Sequence, residues 1–209
     1  MRKEKALKIY NSIKKKYGQI TTALVYKNAF ELLVATILSA QCTDVRVNKI
    51  TKELFEKYKT AKDFSCLTQI DLEKIIKATG FYKAKSKNII TTSKMILEKF
   101  NGKVPERMED LVSLAGVARK TANIVLYHAY GKNVGIAVDT HVKRLSFRMG
   151  FTKETNPEKI EKDLMKLFPK HIWGELTNML IEHGRKTCKA RSPKCGECVI
   201  KKECSKLGL

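Results

Sequence analysis

Leu111-Val112-Ser113-Leu114-Ala115-Gly116-Val117-Ala118-Arg119-Lys120-Thr121-Ala122 decides how this chain is read. A short apolar stretch runs into a turn centred on Gly116. A second helical pattern follows, with Ala122, Val125, Leu126 and Ala129 on one face, and ends before Gly131. Backbone N–H groups at such a turn and at the following helix start can hold a phosphate. Gly116, Ala118 and Arg119 are therefore candidate nucleic-acid contacts. Lys120 falls near the N-terminus of the second helix. The positive helix end and Arg119 disfavour an ammonium there, as nucleophilic work near neutrality requires. Lysine is also the residue that forms a Schiff base with a sugar aldehyde.

Working outward, the pattern stays helical. Val47, Ile50, Leu54 and Tyr58 mark one face, and Ile89, Ser93, Ile96, Leu97 and Phe100 another, stopped by Asn101-Gly102. Val142, Leu145 and Met149 line a further helix that ends at Gly150. Asn28 stands three residues before Glu31, as in a capping box. Asn156-Pro157-Glu158 opens another helix with proline at its first position. No period-2 run or hairpin turn marks a strand. The expected fold class is all-α, with about ten short helices on this pattern.

There are 42 Lys and Arg against 21 Asp and Glu, a formal charge of +21 spread over the 209 residues. So basic a globular chain repels itself, and a polyanion is the usual partner; a lysine-rich solvated surface is the alternative. No apolar run reaches the roughly 18 residues of a membrane span, since Glu31 breaks the longest, Phe30 to Leu38. The opening Met1-Arg2-Lys3-Glu4-Lys5 is not a signal-peptide core. A cytoplasmic protein with no membrane partner is expected, and its six cysteines read as metal ligands or buried thiols.

Cys188, Cys195, Cys198 and Cys204 are spaced C-x6-C-x2-C-x5-C. The segment is too short for a core of its own, and four thiolates on one metal centre would order it. A cubane iron–sulfur cluster fits. Zinc, which favours two tight cysteine pairs, fits less well because only Cys195 and Cys198 are close. The insert carries Lys189, Arg191 and Lys194, which a loop pinned at both ends can present to phosphates; a solvated loop is the alternative. Cys42 and Cys66 read as ordinary core residues. Trp173 reads as core packing, and the four histidines as surface or helix-packing residues. Asp139, in Val138-Asp139-Thr140-His141, precedes a helix; it is a cap, a carboxylate of the working site, or both.

Leu114 to Ala122 followed by Ala137-Val138-Asp139-Thr140-His141 resembles the helix-hairpin-helix and Asp signature of the DNA glycosylase superfamily. The cysteine tail narrows the likeness to its iron–sulfur branch, the endonuclease III family. Leu38-Ser39-Ala40-Gln41-Cys42-Thr43-Asp44 is similar to a further family segment. The resemblance implies a 4Fe–4S cluster on the four cysteines, Lys120 as catalytic lysine and Asp139 as catalytic aspartate. It implies that Gln41 and Phe81 enter the duplex where a base is extruded; Phe81 as a core residue after Gly80 stays open. The implied activity is a DNA N-glycosylase and abasic-site lyase on oxidised or ring-saturated pyrimidines. The implied partner is double-stranded DNA bearing a damaged base or an abasic site; a monomer is the default expectation for an enzyme that scans DNA, and the sequence leaves the oligomeric state open. Two helical domains are implied. Residues 21–132 form one, with the hairpin; residues 1–20 and 133–209 form the other, with the cluster loop at 188–204. Lys120 and Asp139 would face each other between them. The adenine-mismatch branch lacks a lysine at this position, so a monofunctional glycosylase is the rival within the superfamily. A non-catalytic DNA-binding module with structural zinc is the rival outside it. Two positions depart from the family's frequent hairpin: Ala115 stands for proline and Ala118 for a second glycine. A positive φ at Ala118 would cost about 1 kcal/mol.

Overall fold

The computed structural model describes all 209 residues. It contains eleven α-helices and two 3-10 turns, with no strand. The chain divides into two compact units, Thr22–Lys132 and a discontinuous one joining Met1–Thr21 to Asn133–Leu209.

Helix α1 (Lys3–Tyr17) opens the discontinuous unit and buries Ala6, Ile9, Tyr10 and Ile13, one stripe at helical spacing. The 22–132 unit is built around α2 (Ala29–Leu38), which is buried from Phe30 to Leu38. A helix apolar on all sides needs neighbours on all sides. Three of them are α3 (Asp44–Lys57) and, further along the chain, α6 (Tyr82–Phe100) and α8 (Arg119–Tyr130). Between them run the short α4 (Ala61–Ser65) and α5 (Gln69–Ile76), both packed on α6, and α7 (Met108–Val112), packed on α8. Threonine caps start three of these helices. Thr43, Thr60 and Thr68 accept from the amides of Arg46, Asp63 and Asp71 at 3.4, 3.3 and 3.2 Å. Asn28 caps α2 through the Glu31 amide at 2.9 Å, but Glu31 Oε2 answers to the Lys27 amide at 2.6 Å rather than to Asn28. The capping box expected there closes one residue further out.

The discontinuous unit resumes with α9 (Thr140–Arg148), α10 (Pro157–Leu167) and α11 (Trp173–Lys186). Asn156 caps α10 and Pro157 begins it. The stripe of α1 packs with Val142, Leu145, Ile160, Leu164, Leu176 and Leu180 in one core. Ile200, between the last two clustered cysteines, is buried in the same core and ties the C-terminal segment to it.

Cys66 corrects the expectation of a core thiol. It is exposed at the C-cap of α4, where the five-residue helix turns its apolar side inward through Phe64 instead. Cys42 is half-buried, and so is Trp173, whose indole N–H donates to the Phe168 carbonyl at 2.9 Å. No helix is long and apolar enough to cross a membrane.

Candidate nucleic-acid interface and metal centre

Helices α7 and α8 and the turn between them form the hairpin read from the sequence. Gly116 has φ +74°, and a Cβ there would lie 2.6 Å from Asn88 Nδ2 and 2.9 Å from Asn88 Cβ on α6. Both the backbone conformation and the close approach require glycine. The Thr92 hydroxyl, also on α6, donates to the Ala115 carbonyl at 2.8 Å and braces the other side of the turn. Ala118 is extended at φ −83°, so alanine there brings no left-handed strain. No side chain caps α8, which leaves its first-turn amides for a bound anion. Gly116, Ala118, Arg119 and Lys120 are all exposed. Lys120 is the second residue of α8.

Gln41 and Phe81 share an unusual backbone. Gln41 has φ 53° and Phe81 φ 49°, both left-handed without being glycine. Such residues are uncommon and concentrate at functional sites, at a cost of about 1–3 kcal/mol each. Phe81 is the N-cap of α6 and is 64 % exposed, so it is not a core residue. Gln41 is exposed in the turn that follows α2.

In the discontinuous unit, Asp139 is half-buried and caps α9. Its approach is held firmly. The Ile136 amide donates to Glu161 Oε1 at 3.1 Å, and the Thr177 hydroxyl donates to the Ala137 carbonyl at 3.2 Å. Residues 136–138 are buried, so the chain delivers Asp139 from an anchored strut.

Cys188, Cys195, Cys198 and Cys204 line one hollow together with Met149, His183 and Ile200. Four cysteines round a common hollow, with only Cys195 and Cys198 close in sequence, suit an iron–sulfur cluster better than tetrahedral zinc with its two tight pairs. Nitrogen atoms lie within hydrogen-bonding distance of three of the sulfurs. Arg148 Nη1 lies 3.5 Å from Cys188 Sγ, the Lys206 amide 3.4 Å from Cys204 Sγ, and His183 Nε2 3.6 Å from Cys198 Sγ. On the other side of the ring, His183 Nδ1 lies 3.2 Å from the Tyr17 hydroxyl, which also lies 2.7 Å from the Thr187 hydroxyl. Burial pulls the His183 pKa down to about 4, assisted by Lys16. Burial pushes the Cys198 and Cys204 thiols up, so binding as thiolates must displace their protons. Hydrogen bonds to thiolate sulfur are what an iron–sulfur centre uses to stabilise its ligands.

The basic insert is pinned by two arginines. Arg148 donates to the carbonyls of Lys189 (2.7 Å) and Ala190 (3.0 Å), and Arg144 to those of Gly184 (3.2 Å) and Cys188 (3.0 Å). Lys189, Arg191 and Lys194 remain exposed. Sequence reading missed Arg144, Arg148 and His183. Arg148 and His183 are buried; Arg148 is distant in sequence from the cysteines it serves, and a histidine in the helix before Cys188 has no local signature of burial. The amphipathic stripe of α9 is the one signal that could have placed Arg144 and Arg148 near the core.

Comparison with known proteins gives a consistent picture. A family model described as HhH-GPD superfamily base excision DNA repair protein matches residues 34–170. A second, for the iron-sulfur binding domain of endonuclease III, matches residues 188–204. The chain is 50 % identical to endonuclease III of Synechocystis sp. over 97 % of its length and 93 % of the relative. It is 42 % identical to endonuclease III of Escherichia coli K12, covering 98 % of this chain and 96 % of the other. A solved non-covalent endonuclease III–DNA complex superimposes with a TM-score of 0.94 at 42 % identity, covering 99 % of this chain and 96 % of that one. A trapped endonuclease III–DNA covalent intermediate gives 0.94 at 42 % identity, covering 99 % and 97 %. A thermostable thymine-DNA glycosylase shares the fold, with a TM-score of 0.86 at 22 % identity over 97 % of this chain and 96 % of the other.

Proposed function

The chain belongs to the endonuclease III family of the HhH-GPD superfamily, and from that membership we propose that it excises oxidised or ring-saturated pyrimidines from DNA through a Schiff base on Lys120. It is a base excision repair DNA glycosylase and abasic-site lyase. Its cofactor is a 4Fe–4S cluster on Cys188, Cys195, Cys198 and Cys204.

The damaged nucleotide leaves the stack, with Gln41 and Phe81 filling the gap. Gln41 offers an amide to the orphaned partner base and Phe81 an apolar ring to the open step. The hairpin holds the backbone by its phosphates through the amides at Gly116 and the start of α8, with Arg119 adding charge. Lys120 Nζ attacks the sugar C1′. The C1′–N bond breaks and the base departs with the bonding pair, taking up a proton. Asp139 assists the proton transfers and stabilises positive charge at C1′. The C1′–O4′ bond then breaks to open the sugar ring, O4′ takes up the proton that Nζ gives up, and the protonated imine left between Lys120 and C1′ acidifies the C2′ proton. Loss of that proton expels the 3′ phosphate by β-elimination, and water hydrolyses the imine to free the lysine. When bound, the cluster supplies order to the 188–204 loop and takes no part in bond making. Lys189, Arg191 and Lys194 then meet the phosphate backbone.

The observation that carries this reading is Lys120 itself. It is an exposed lysine on the first turn of a helix with no side-chain cap, just after the Gly116 turn. The covalent intermediate trapped in a relative of the same fold supports it. The test is borohydride trapping on a duplex bearing one thymine glycol, with wild type beside Lys120→Ala. The expected result is a covalent adduct with wild type alone. An adduct that survives Lys120→Ala, or none from a wild type that binds the duplex, overturns the assignment.

A further inference from the structure

Lys85 lies one turn into α6 and is only 4 % exposed, a charged side chain inside the 22–132 unit. Its Nζ donates to the Leu38 carbonyl at 2.8 Å and to the Thr79 carbonyl at 2.9 Å. These are the final carbonyls of two different elements, α2 and the 3-10 turn Lys77–Thr79. Three residues after Leu38 stands Gln41, and two after Thr79 stands Phe81. The amine therefore joins the roots of the two turns that present exposed, left-handed residues.

Burying an amine is expensive, and an apolar side chain of the same length would fill the space at lower cost. What it would not do is bridge two carbonyls from separate segments. Burial pulls the Lys85 pKa below the ordinary lysine value, with the nearby Cys42 opposing. The bridge does not depend on the outcome, because an uncharged amine still has two N–H groups for its two acceptors. Each turn is also fixed internally. The Cys42 amide donates to the Ser39 carbonyl at 3.1 Å, and the Thr79 hydroxyl to the Ile76 carbonyl at 2.8 Å. Holding their roots together thus fixes the spacing of the side chains they carry.

Helix α6 extends the same frame. About two turns beyond Lys85, Thr92 braces the hairpin through Ala115, and between them Asn88 packs against Gly116. One rigid helix carries both the paired turns and the hairpin.

We propose that Lys85 is a positioning residue for base extrusion, locking the Leu38 and Thr79 carbonyls together so that Gln41 and Phe81 enter the duplex as one wedge of fixed width. This rests on the reading of Gln41 and Phe81 as the wedge. A group that fills the gap from two sides works only if both sides arrive in register, and small misplacements near a reacting centre cost rates of about 100-fold.

The experiment is a cycle of wild type, Lys85→Met, Gln41→Ala/Phe81→Ala, and the three changes combined. Single-turnover base release is followed on a thymine glycol duplex, with 2-aminopurine beside the lesion reporting unstacking. Strand cleavage at a pre-formed abasic site in single-stranded DNA is the control, since no stack is opened there. Lys85→Met is expected to lose base release by about 100-fold, together with the fluorescence rise. It retains single-strand cleavage, and it adds less than about two-fold once the wedge is gone. Equal losses on both substrates, or an undiminished further loss without the wedge, overturn the proposal. Should Lys85→Met lose its helical circular dichroism, Lys85→Gln, which keeps a donor, goes through the same cycle. Amide exchange in the wild-type protein reads the coupling with no substitution. The 39–42 and 80–82 amides are expected to open together, and independent opening overturns the lock. That measurement stands even if wild type releases no base, a result that would instead sink the proposed function.

Discussion

Asp139 Oδ1 accepts the Val142 amide at 2.7 Å, so the carboxylate proposed to work at the sugar also starts α9. The two roles separate by substitution. Asparagine caps a helix as well as aspartate, whereas alanine loses about 1 kcal/mol. Asp139→Asn should therefore unfold within about 0.5 kcal/mol of wild type and Asp139→Ala about 1 kcal/mol lower. Base release should fall in both by about 100-fold or more, the usual scale for a lost acid or base. Denaturant unfolding and single-turnover kinetics on the same preparations check this. Wild-type base release by Asp139→Asn would leave the carboxylate with its capping role alone.

Gly116 is held to glycine twice over. A side chain there adopts φ +74°, which costs about 1–2 kcal/mol, and its Cβ meets Asn88 on α6 at 2.6–2.9 Å. Gly116→Ala should lower stability by about 2 kcal/mol. It should weaken duplex binding more than it slows a bound substrate, because the turn proposed to hold phosphate moves while Lys120 stays on α8. Thermal unfolding and fluorescence anisotropy read the two effects. A variant that binds as wild type does would remove the hairpin from the interface.

Much of this was legible because the decisive features are local. The Gly116 turn, the helix start at Arg119, the Asp139 cap and the cysteine spacing each lie within a few residues, where turn and capping chemistry act. The caps at Asn28 and Asn156 were legible for the same reason. What escaped depends on residues distant in sequence. Lys85 reads as one more surface lysine of α6 until Leu38 and Thr79 are brought to it. Arg148 reads as the basic end of a helix until the 188–190 loop folds over it. Phe81 could not be sorted between core and surface, because the left-handed φ that turns it outward follows from how Gly80 and α6 meet. Cys66 was misplaced because its burial depends on where a five-residue helix stops, the least local of boundaries.

Phe81 sets stability against function. Its left-handed backbone costs about 1–2 kcal/mol, and little apolar burial offsets this at 64 % exposure. Glycine relieves the strain but gives back about 0.5–1 kcal/mol of chain entropy. Phe81→Gly should thus be more stable than wild type by up to about 1 kcal/mol, while excising a lesion from duplex DNA more slowly. The same variant should cleave a single-stranded abasic site normally. A drop in stability would mean that the ring makes packing contacts that its exposure does not suggest.

The basic loop offers a quantitative reading of the metal centre's purpose. Each phosphate neutralised adds about 0.9 to the slope of log affinity against log salt on duplex DNA. Lys189, Arg191 and Lys194 are exposed, while Arg148, Arg144 and the four cysteines fix the backbone that carries them. Replacing all three with alanine should lower that slope by about 2–3 if each meets a phosphate. The iron–sulfur absorption near 400 nm should be untouched, since none of the three is a ligand. Removing the iron leaves the charges but frees the loop, so the slope should fall by a similar amount and the unfolding temperature should fall with it. The two perturbations reach the same binding defect from opposite sides. An unchanged slope in the triple variant would show that the cluster orders this loop for some purpose other than holding DNA.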